Sequence, residues 1–181
     1  MIDMAILGLL KGRAMHGYEL KKELTAQLGQ FWQVSYGSLY PAVRRLEKNG
    51  MVERCFPKED IARRKNIYRI TPAGEQLFTR QLCERSPVLD DARFGVRFAF
   101  FRYMTATDRV DLLERRRAYL LEMAADLKEK LRSYKEKIDD YTYRLMEHRV
   151  DTTRADIEWI DRLLAEEKLN LSSNLKGKPA S

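Results

Sequence analysis

The spacing of apolar side chains predicts short helices at the start of the chain. Residues 2–10 form an almost uninterrupted apolar run, which is too short to span a membrane and is interpreted as a buried first helix. A second helix is predicted to open at Gly17, because Leu20, Leu24 and Leu28 recur at intervals of four and share one side.

A third helix is indicated by an apolar stripe that small and hydroxyl-bearing residues precede. Either Ser35 or Ser38 can cap it, and Pro41 favours a start near Ser38, because proline is tolerated only in the first turn. Gly50 provides the stop. The small polar start lets backbone N–H groups approach phosphate closely, as in a DNA-recognition helix, although an ordinary amphipathic helix with a solvated basic face is the alternative. The stripe consists of Leu39, Val43 and Leu46.

Two segments that alternate apolar and polar side chains follow this helix. Residues 51–56 and 66–71 show the period of two that half-buried strands have, and together they predict a hairpin. Its tip carries Arg63, Arg64 and Lys65, which could neutralise phosphates or enter a minor groove. A lone basic run is often only a solvated loop. A cationic hairpin directly after a recognition helix, however, predicts a winged helix-turn-helix and therefore DNA binding.

Beyond a break at Ser86-Pro87 the pattern is helical. A helix over residues 90–103 carries an aromatic face with a cation, which is either plain core or an effector-binding pocket for a flat acidic compound. Turn and capping residues at 105–108 precede the next helix. The four residues of the aromatic face are Phe94, Arg97, Phe98 and Phe101.

The longest pattern in the sequence predicts one helix of about 42 residues over 108–149, which would extend about 63 Å. Its apolar positions recur at alternating steps of four and three. A domain this small cannot cover such a helix, so a coiled-coil-like seam with a partner helix is predicted, the alternative being packing inside its own domain. The seam consists of Val110, Leu113, Arg117, Leu120, Ala124, Leu127, Leu131, Tyr134, Ile138, Tyr141, Leu145 and His148.

A last helix is predicted to begin after Asp151, Thr152 or Thr153, any of which can cap it, and to run to Leu171. It must fold back antiparallel, and its apolar face packs on the long helix of its own chain or on the same element of a second chain. The predicted fold is mainly α with a small β-wing. The predicted domains are a winged helix-turn-helix DNA-binding domain (1–85), an antiparallel helical dimerisation domain (86–171) and a mobile tail (172–181).

Charge separates the two predicted domains. The 181 residues carry a formal net charge of +7. Residues 1–83 contain 14 Lys and Arg against 8 Asp and Glu, whereas residues 84–181 contain 20 against 19, so the two parts carry +6 and +1. The excess lies with the recognition helix, as expected if only that part meets a polyanion.

Several classes of function have no support in the sequence. Cys55 and Cys83 stand without a Cys-x-x-Cys pair, and the two histidines are far apart, so no metal, cofactor or disulfide framework is expected. There is no Gly-rich phosphate cradle and no acid-base carboxylate pair, so an enzyme is not expected. Without a recognisable signal or transmembrane segment, a cytoplasmic, nucleoid-associated protein with no membrane partner is expected.

Four blocks in the right order resemble the PadR family of bacterial transcriptional regulators, and the helical remainder is similar to the branch with an extended C-terminal dimerisation domain. The resemblance implies a homodimeric repressor that binds a palindromic operator and often releases it when a small effector, such as a phenolic acid, is sensed. The blocks are His16-Gly17-Tyr18-Glu19-Leu20, Gly37-Ser38-Leu39-Tyr40-Pro41-Ala42-Val43-Arg44-Arg45-Leu46-Glu47, Gly50-Met51-Val52 and Tyr68-Arg69-Ile70-Thr71-Pro72-Ala73-Gly74.

These patterns together predict a sequence-specific regulator that binds double-stranded DNA. A two-fold dimer would present two recognition helices to successive major grooves about 34 Å apart and read a pseudo-palindrome. The alternative is a winged-helix protein-interaction module that assembles through its coiled coil without binding DNA. The predicted DNA-binding residues are His16, Gly17, Tyr18, Ser35, Tyr36, Gly37, Ser38, Tyr40, Arg44, Arg63, Arg64 and Lys65. The predicted dimerisation residues are Leu113, Leu120, Leu127, Leu131, Tyr134, Ile138, Tyr141, Leu145, Ile157, Ile160 and Leu164.

Overall fold

The computed structural model of the chain describes residues 1–29, 34–55, 66–84 and 90–176. Contacts divide the chain into two compact units, of which the first is Met1–Met104 and the second begins at Thr105. The elements of the first unit are α1 (Ile2–Gly12), β1 (Met15–His16), α2 (Gly17–Leu28), α3 (Tyr36–Lys48), β2 (Val52–Cys55), β3 (Ile67–Ile70), α4 (Pro72–Cys83), α5 (Asp91–Phe98) and a 3-10 turn (Phe101–Tyr103). Those of the second unit are α6 (Ala106–Tyr134) and α7 (Asp140–Lys176).

The first unit is a helix-turn-helix with an antiparallel three-stranded sheet, in the order β1-β3-β2. The predicted hairpin is confirmed, with Val52 opposite Ile70 and Cys55 opposite Ile67, while its tip lies outside the described residues. Strand β1 was not expected, because residues 11–15 have the pattern of a connection; Met15 pairs with Tyr68. The buried helix α1 packs against α2, α3, α4 and β3, so it forms the centre of this unit.

Helix α3 begins earlier than the proline suggested. Ser35, one of the two predicted caps, accepts a 3.2 Å hydrogen bond from the backbone N–H of Ser38, so the helix begins at Tyr36, two residues before the predicted start near Ser38. Pro41 therefore lies in the second turn. The bond it cannot donate would have reached the carbonyl of Gly37, which is exposed and open to water. Loss of a single bond so close to the helix start is tolerated.

The C-terminal end of α3 follows the Schellman pattern. Gly50 has a φ of +72°, the left-handed conformation that glycine adopts without strain. Its N–H donates to the carbonyl of Glu47, and the N–H of Met51 donates to that of Leu46, each at 2.9 Å. The predicted stop at Gly50 is confirmed, and it leads the chain directly into β2.

The segment after residue 90 packs with the first unit. Phe100 is fully buried, and its ring lies edge-on to Phe78 of α4 at 5.6 Å. The Phe100 ring also packs against Gly8 of α1, where an added Cβ would lie 2.6 Å from the ring. Contacts thus divide the chain after Met104, later than the expected boundary at residue 85, and the predicted helix over 90–103 is interrupted between Phe98 and the 3-10 turn at Phe101–Tyr103.

The second unit is an antiparallel hairpin of α6 and α7, so the predicted single helix over 108–149 is wrong. Asp139 caps α7 and accepts hydrogen bonds from the backbone N–H groups of Tyr141 and Thr142, at 2.9 and 3.0 Å. The chain therefore reverses between Tyr134 and Asp140. Cross-helix ion pairs that join early residues of α6 to late residues of α7 establish the antiparallel direction. They are Arg109–Glu167, Glu114–Lys168 and Arg117–Asp161.

The predicted start of a last helix after Asp151, Thr152 or Thr153 is also wrong, because α7 runs without a break from Asp140 to Lys176. The hydroxyls of Thr152 and Thr153 donate back to the carbonyl of Arg149, at 3.0 and 2.8 Å. The helix also continues past Leu171 into the predicted tail, of which residues 177–181 lie outside the described part. None of the described helices has an apolar stretch of the length that a membrane crossing requires.

Candidate nucleic-acid interface

The N-terminal turn of α3 is an exposed surface of small and hydroxyl-bearing residues. Ser35, Tyr36, Gly37 and Ser38 are all exposed. The hydroxyl of Ser38 donates to the carbonyl of Ser35 at 3.0 Å, and the two hydroxyl oxygens lie 3.2 Å apart. These bonds fix the positions of both hydroxyls at the helix N-terminus, where free N–H groups and the helix dipole favour an anion.

Aromatic contacts connect this turn to α2. The rings of Tyr36 and Tyr40, one helical turn apart, stack at 6.0 Å with an interplanar angle of 14°. The ammonium of Lys21 on α2 lies 3.3 Å from the centroid of the Tyr36 ring. At the other end, Tyr40 packs against Gly17, where an added Cβ would lie 3.1 Å from its ring. The two tyrosines are thus held between two residues of α2 that are themselves one turn apart.

Two neighbouring concavities extend the surface toward the sheet and along α2. Tyr18, whose side chain is 68% exposed, lines both of them. The first concavity, of about 500 Å³, is lined by His16, Gly17, Tyr18, Glu19, Tyr40, Asn66 and Tyr68. The second, of about 370 Å³, is lined by Tyr18, Lys21, Lys22, Thr25, Ala26 and Tyr36.

The start of α2 is fixed by a carboxylate. The backbone N–H of His16 donates to Glu19 at 2.8 Å, and this bond is the main cause that lowers the pKa of Glu19 below its ordinary 4.5. Arg13 assists and burial opposes the shift. His16 and Glu19 together form a capping box at this helix start, and the Nδ1 atom of His16 is buried.

Cations on this surface lack the carboxylate partners that other cations of the same unit have. Among the described residues no ion pair is formed by Lys21, Lys22, Arg44 or Lys48. Arg44 and Lys48 follow Tyr40 at intervals of four along α3. Several other cations of the unit form ion pairs with carboxylates. These pairs are Lys11–Glu75, Arg13–Glu19, Arg45–Asp3, Arg54–Glu47 and Arg69–Glu53. Within the described residues, the surface of α2 and α3 therefore carries positive charge that no ion pair offsets.

The structure brings most of the predicted DNA-binding residues together. Those of the α2 and α3 starts lie side by side, whereas the wing cations Arg63, Arg64 and Lys65 fall outside the described residues. The first concavity is also lined by Asn66, directly before β3, and by Tyr68 of β3, which the predicted set does not include. The predicted set also leaves out Lys21 and Lys22 of α2. The spacing of Lys21 to Gly17, one turn along α2, was a signal that could have found it.

Of the four predicted effector residues, Arg97 lines a cavity in the described part of the chain, and the three phenylalanines form an aromatic cluster. Phe94 is 4% exposed and stacks on Phe98 at 5.6 Å, which in turn contacts Phe101 at 4.7 Å. Arg97, 6% exposed, lines a cavity of about 370 Å³ and donates to the backbone carbonyl of Gln81 at 3.4 Å. In the described part of the chain the lining of this cavity is Met1, Met4, Gln81, Glu84, Arg93 and Arg97.

The predicted dimerisation residues divide into two groups. The first group is buried or half-buried within the hairpin and its turn: Leu113, Leu120, Ile160 and Leu164 are buried, and Leu127, Leu131, Ile138 and Ile157 are half-buried. The second group is exposed and consists of Tyr134, Tyr141 and Leu145, at 48%, 85% and 68%. The seam predicted from the sequence is therefore largely the internal seam of one chain.

A hydroxyl-rich helix start and unpaired cations on a helix-turn-helix with an adjoining sheet define a DNA-binding winged-helix protein. Residues 6–80 match the model of the family described as "Transcriptional regulator PadR-like family". The resemblance seen in the four motif blocks is confirmed. The matched proteins are transcriptional regulators and not enzymes.

Relatives extend the similarity beyond the matched segment. The negative transcriptional regulator PadR of Bacillus subtilis is 23% identical over 175 residues, which cover 91% of this chain and 96% of that protein. A probable transcriptional regulator of Mycobacterium tuberculosis is 29% identical over 80 residues, 44% of this chain and 42% of the relative. The crystal structure of Bacillus subtilis PadR in complex with operator DNA is similar with a TM-score of 0.46 at 20% identity, covering 91% of this chain and 98% of that one.

Proposed function

We propose that the chain is a homodimeric repressor that binds a pseudo-palindromic operator through α2, α3 and the wing and releases it when a small effector binds. The single observation that carries the proposal is the uncompensated positive charge of Lys21, Lys22, Arg44 and Lys48 beside an exposed hydroxyl-rich helix start. Phosphates attract such a surface without regard to sequence. Hydroxyl groups that both donate and accept supply base readout.

Each part of this surface has a distinct role in the proposal. Ser38 and Tyr40 reach base edges from the first turns of α3, and Arg44, one turn after Tyr40, meets a guanine or a phosphate. Gly17 and Tyr18 contact the backbone and hold the register. The wing cations Arg63, Arg64 and Lys65 remain predicted phosphate contacts. His16, which lines the first concavity, remains a predicted DNA contact.

A dimer would use the face of the hairpin that the chain leaves exposed. Along α7, Tyr141, Leu145 and Trp159 fall within about 40° of one another at 100° per residue, on a different side from the internal seam at Ile160 and Leu164. Large apolar side chains in a stripe on a long helix favour a second copy as partner. A two-fold pair would place two reading heads, each of which is the first unit of one chain, on one side of the duplex.

Repression is supported by the curated relative in Bacillus subtilis, whose name describes a negative transcriptional regulator. A dimer seated across successive major grooves of a promoter occupies DNA that the transcription machinery needs. Release would require a ligand that changes the spacing or orientation of the heads.

The cavity beside Arg97 is the proposed effector site. Its lining includes the guanidinium groups of Arg93 and Arg97 and the carboxylate of Glu84, and Arg93 also pairs with Asp90 at 3.6 Å. The side-chain oxygen of Gln81 is buried without a hydrogen-bond partner among the described residues. A carboxylate would be attracted to the guanidinium groups, and a hydroxyl could donate to Gln81. A small hydroxylated organic acid fits this chemistry, with Met1 and Met4 against its apolar part.

DNA binding is tested by selecting bound fragments from the source genome and measuring their affinity by fluorescence anisotropy at several salt concentrations. The parent should lose affinity steeply with salt, and Arg44→Ala should lower the slope of log K against log salt by about one for each phosphate that Arg44 neutralises. Arg45→Ala is the matched control, because Arg45 is the next residue on the helix but is paired with Asp3. No retained fragment in dilute buffer would favour the protein-interaction module.

The dimer is tested by sedimentation equilibrium of two α7 variants. Leu145→Glu should give monomers, because it puts a charge into the proposed contact stripe. Leu169→Glu changes an equally exposed leucine outside the stripe, 67% against 68% exposed, and should leave the dimer intact. A monomeric parent, or equal effects of the two variants, would contradict this interface.

The effector site is tested by calorimetric titration of a panel of hydroxylated aromatic acids, followed by operator release in the anisotropy assay. Gln81→Met keeps the side-chain length but removes the acceptor, and it should weaken binding of an acid that releases the parent, without changing operator affinity in its absence. Phe98→Leu is the control outside the cavity. Equal loss in both variants would contradict the assignment to this cavity.

A further inference from the structure

We propose that Lys21 is a positioning residue for operator recognition: its ammonium group holds the ring of Tyr36, and through it Tyr40, in the orientation that reads DNA. The inference rests on the proposed DNA contact of α3. It concerns a residue that the predicted set of DNA-binding residues does not include. It gives Lys21 a role in addition to the attraction of phosphate to which its charge contributes.

The first support is the position of the ammonium group. It lies 3.3 Å from the centroid of the Tyr36 ring, well inside the range of about 6 Å within which a cation is attracted by a ring face. Lys21 is half-buried, whereas its neighbour Lys22 is exposed. Although neither lysine has a carboxylate partner in the described part of the chain, Lys21 is therefore directed at a ring and Lys22 at solvent.

The second support is a continuous set of contacts across the two helices. Tyr36 stacks on Tyr40 at 6.0 Å, and Tyr40 packs against Gly17. Gly17 and Lys21 are four residues apart on α2, and Tyr36 and Tyr40 are four residues apart on α3, so each pair lies on one face of its helix. The two rings are clamped between the two α2 residues.

The third support is the exposure of the rings. Tyr36 and Tyr40 are 43% and 41% exposed, although they contact one another and α2. A tyrosine on a free surface samples several rotamers, and ordering it on binding costs affinity. Because Lys21 and Gly17 fix the rings before DNA arrives, the hydroxyl groups are preorganised at the α3 start.

The test compares Lys21→Met with Lys22→Met on the selected operator and on a scrambled duplex, at several salt concentrations. Lys21→Met should lower the ratio of operator affinity to scrambled-duplex affinity. An exposed cation–π contact supports about a two- to five-fold reduction for each DNA-binding unit, and thus about a 4- to 25-fold reduction for a dimer. Lys22→Met should lower both affinities alike and reduce the salt slope. Lys21→Arg, which keeps a cation over the ring, should restore the ratio.

A double variant shows whether Lys21 acts through Tyr36. In a Tyr36→Leu background, Lys21→Met should cause no further reduction of the ratio, because the ring it orients is gone. The proposal is overturned if Lys21→Met behaves as Lys22→Met does, if the ratio stays at the parent value, or if the effects of the two substitutions are additive. Thermal melts of each variant exclude unfolding as the cause. A parent that binds no DNA would refute the proposed function itself, which separates that failure from failure of this inference.

Discussion

Gly37→Ala should stabilise the protein and weaken its binding to DNA. Gly37 is the second residue of α3, is exposed and does not have the left-handed φ that only Gly50 shows among the described glycines. An added Cβ would meet only the hydroxyl of Ser35, at 3.7 Å, which is ordinary contact. The protein itself therefore gives no steric reason for a glycine at this position.

The expected magnitudes have opposite signs. Replacing a glycine by alanine in a helical conformation that alanine can adopt stabilises by about 0.4–1 kcal/mol, which raises the melting temperature of a protein of this size by about 1–4 °C. A methyl group at a point where DNA backbone approaches closely forces the helix start away from phosphate. We expect roughly a ten-fold or greater loss of operator affinity, equivalent to about 1.4 kcal/mol.

The assay pairs a thermal melt with anisotropy on the operator, and Gly12→Ala is the control. Gly12 is exposed at the end of α1, and its added Cβ would also meet ordinary contacts, at 3.5 Å or more from Tyr103 and Arg102. The control should leave DNA affinity unchanged. A Gly37→Ala protein that melts lower than the parent, or that binds the operator equally well, would refute the reasoning.

Three other substitutions test single interactions of the fold. Gly74→Ala should lower the free energy of unfolding in urea by about 1–3 kcal/mol, because its Cβ would clash with the backbone carbonyl of Met51; an unchanged midpoint would disprove the clash. Glu19→Gln should reduce the pH dependence of stability. Because the pKa of Glu19 is lowered in the folded protein, its ionised form stabilises the fold above pH 4.5, and this contribution is lost as the pH falls through the lowered pKa. The urea midpoints of parent and variant should therefore differ at pH 7 and converge in acid. Leu120→Ala, at a fully buried position of α6, should cost about 2–5 kcal/mol in the same titration, and a change near zero would mean that the hairpin seam is absent.

Much of the first unit could be predicted because its boundaries are encoded locally. Ser35 caps α3 with its own hydroxyl, Gly50 supplies the left-handed residue that ends it, and Thr71 caps α4 through a 3.1 Å bond from the N–H of Gly74. Alternating side chains then predicted the β2–β3 hairpin. Each of these signals acts within a few residues, so the sequence alone contains it.

The hairpin of α6 and α7 could not be placed because its signals mislead. The turn contains no glycine or proline, and the apolar steps continue across it through Leu131, Tyr134 and Ile138 as if the helix were unbroken. The threonines at 152 and 153 looked like caps, but inside a helix their hydroxyls bond equally well to a preceding carbonyl.

Contacts between distant segments also could not be predicted from periodicity. Strand β1 has two residues and exists only because β3 pairs with it. The contact of Lys21 with Tyr36 depends on how α2 and α3 cross, which apolar spacing does not specify.

The packing of Phe100 into α1 and α4 decides where the DNA-binding unit could be cut from the rest. A fragment that stopped at residue 85 would lack the two rings, of Phe100 and Tyr103, that meet Phe78 edge-on at 5.6 Å. It would expose an aromatic residue at the centre of the unit and open the space over Gly8. An independently stable reading head of this protein therefore has to carry its chain through Met104, and shorter pieces should aggregate.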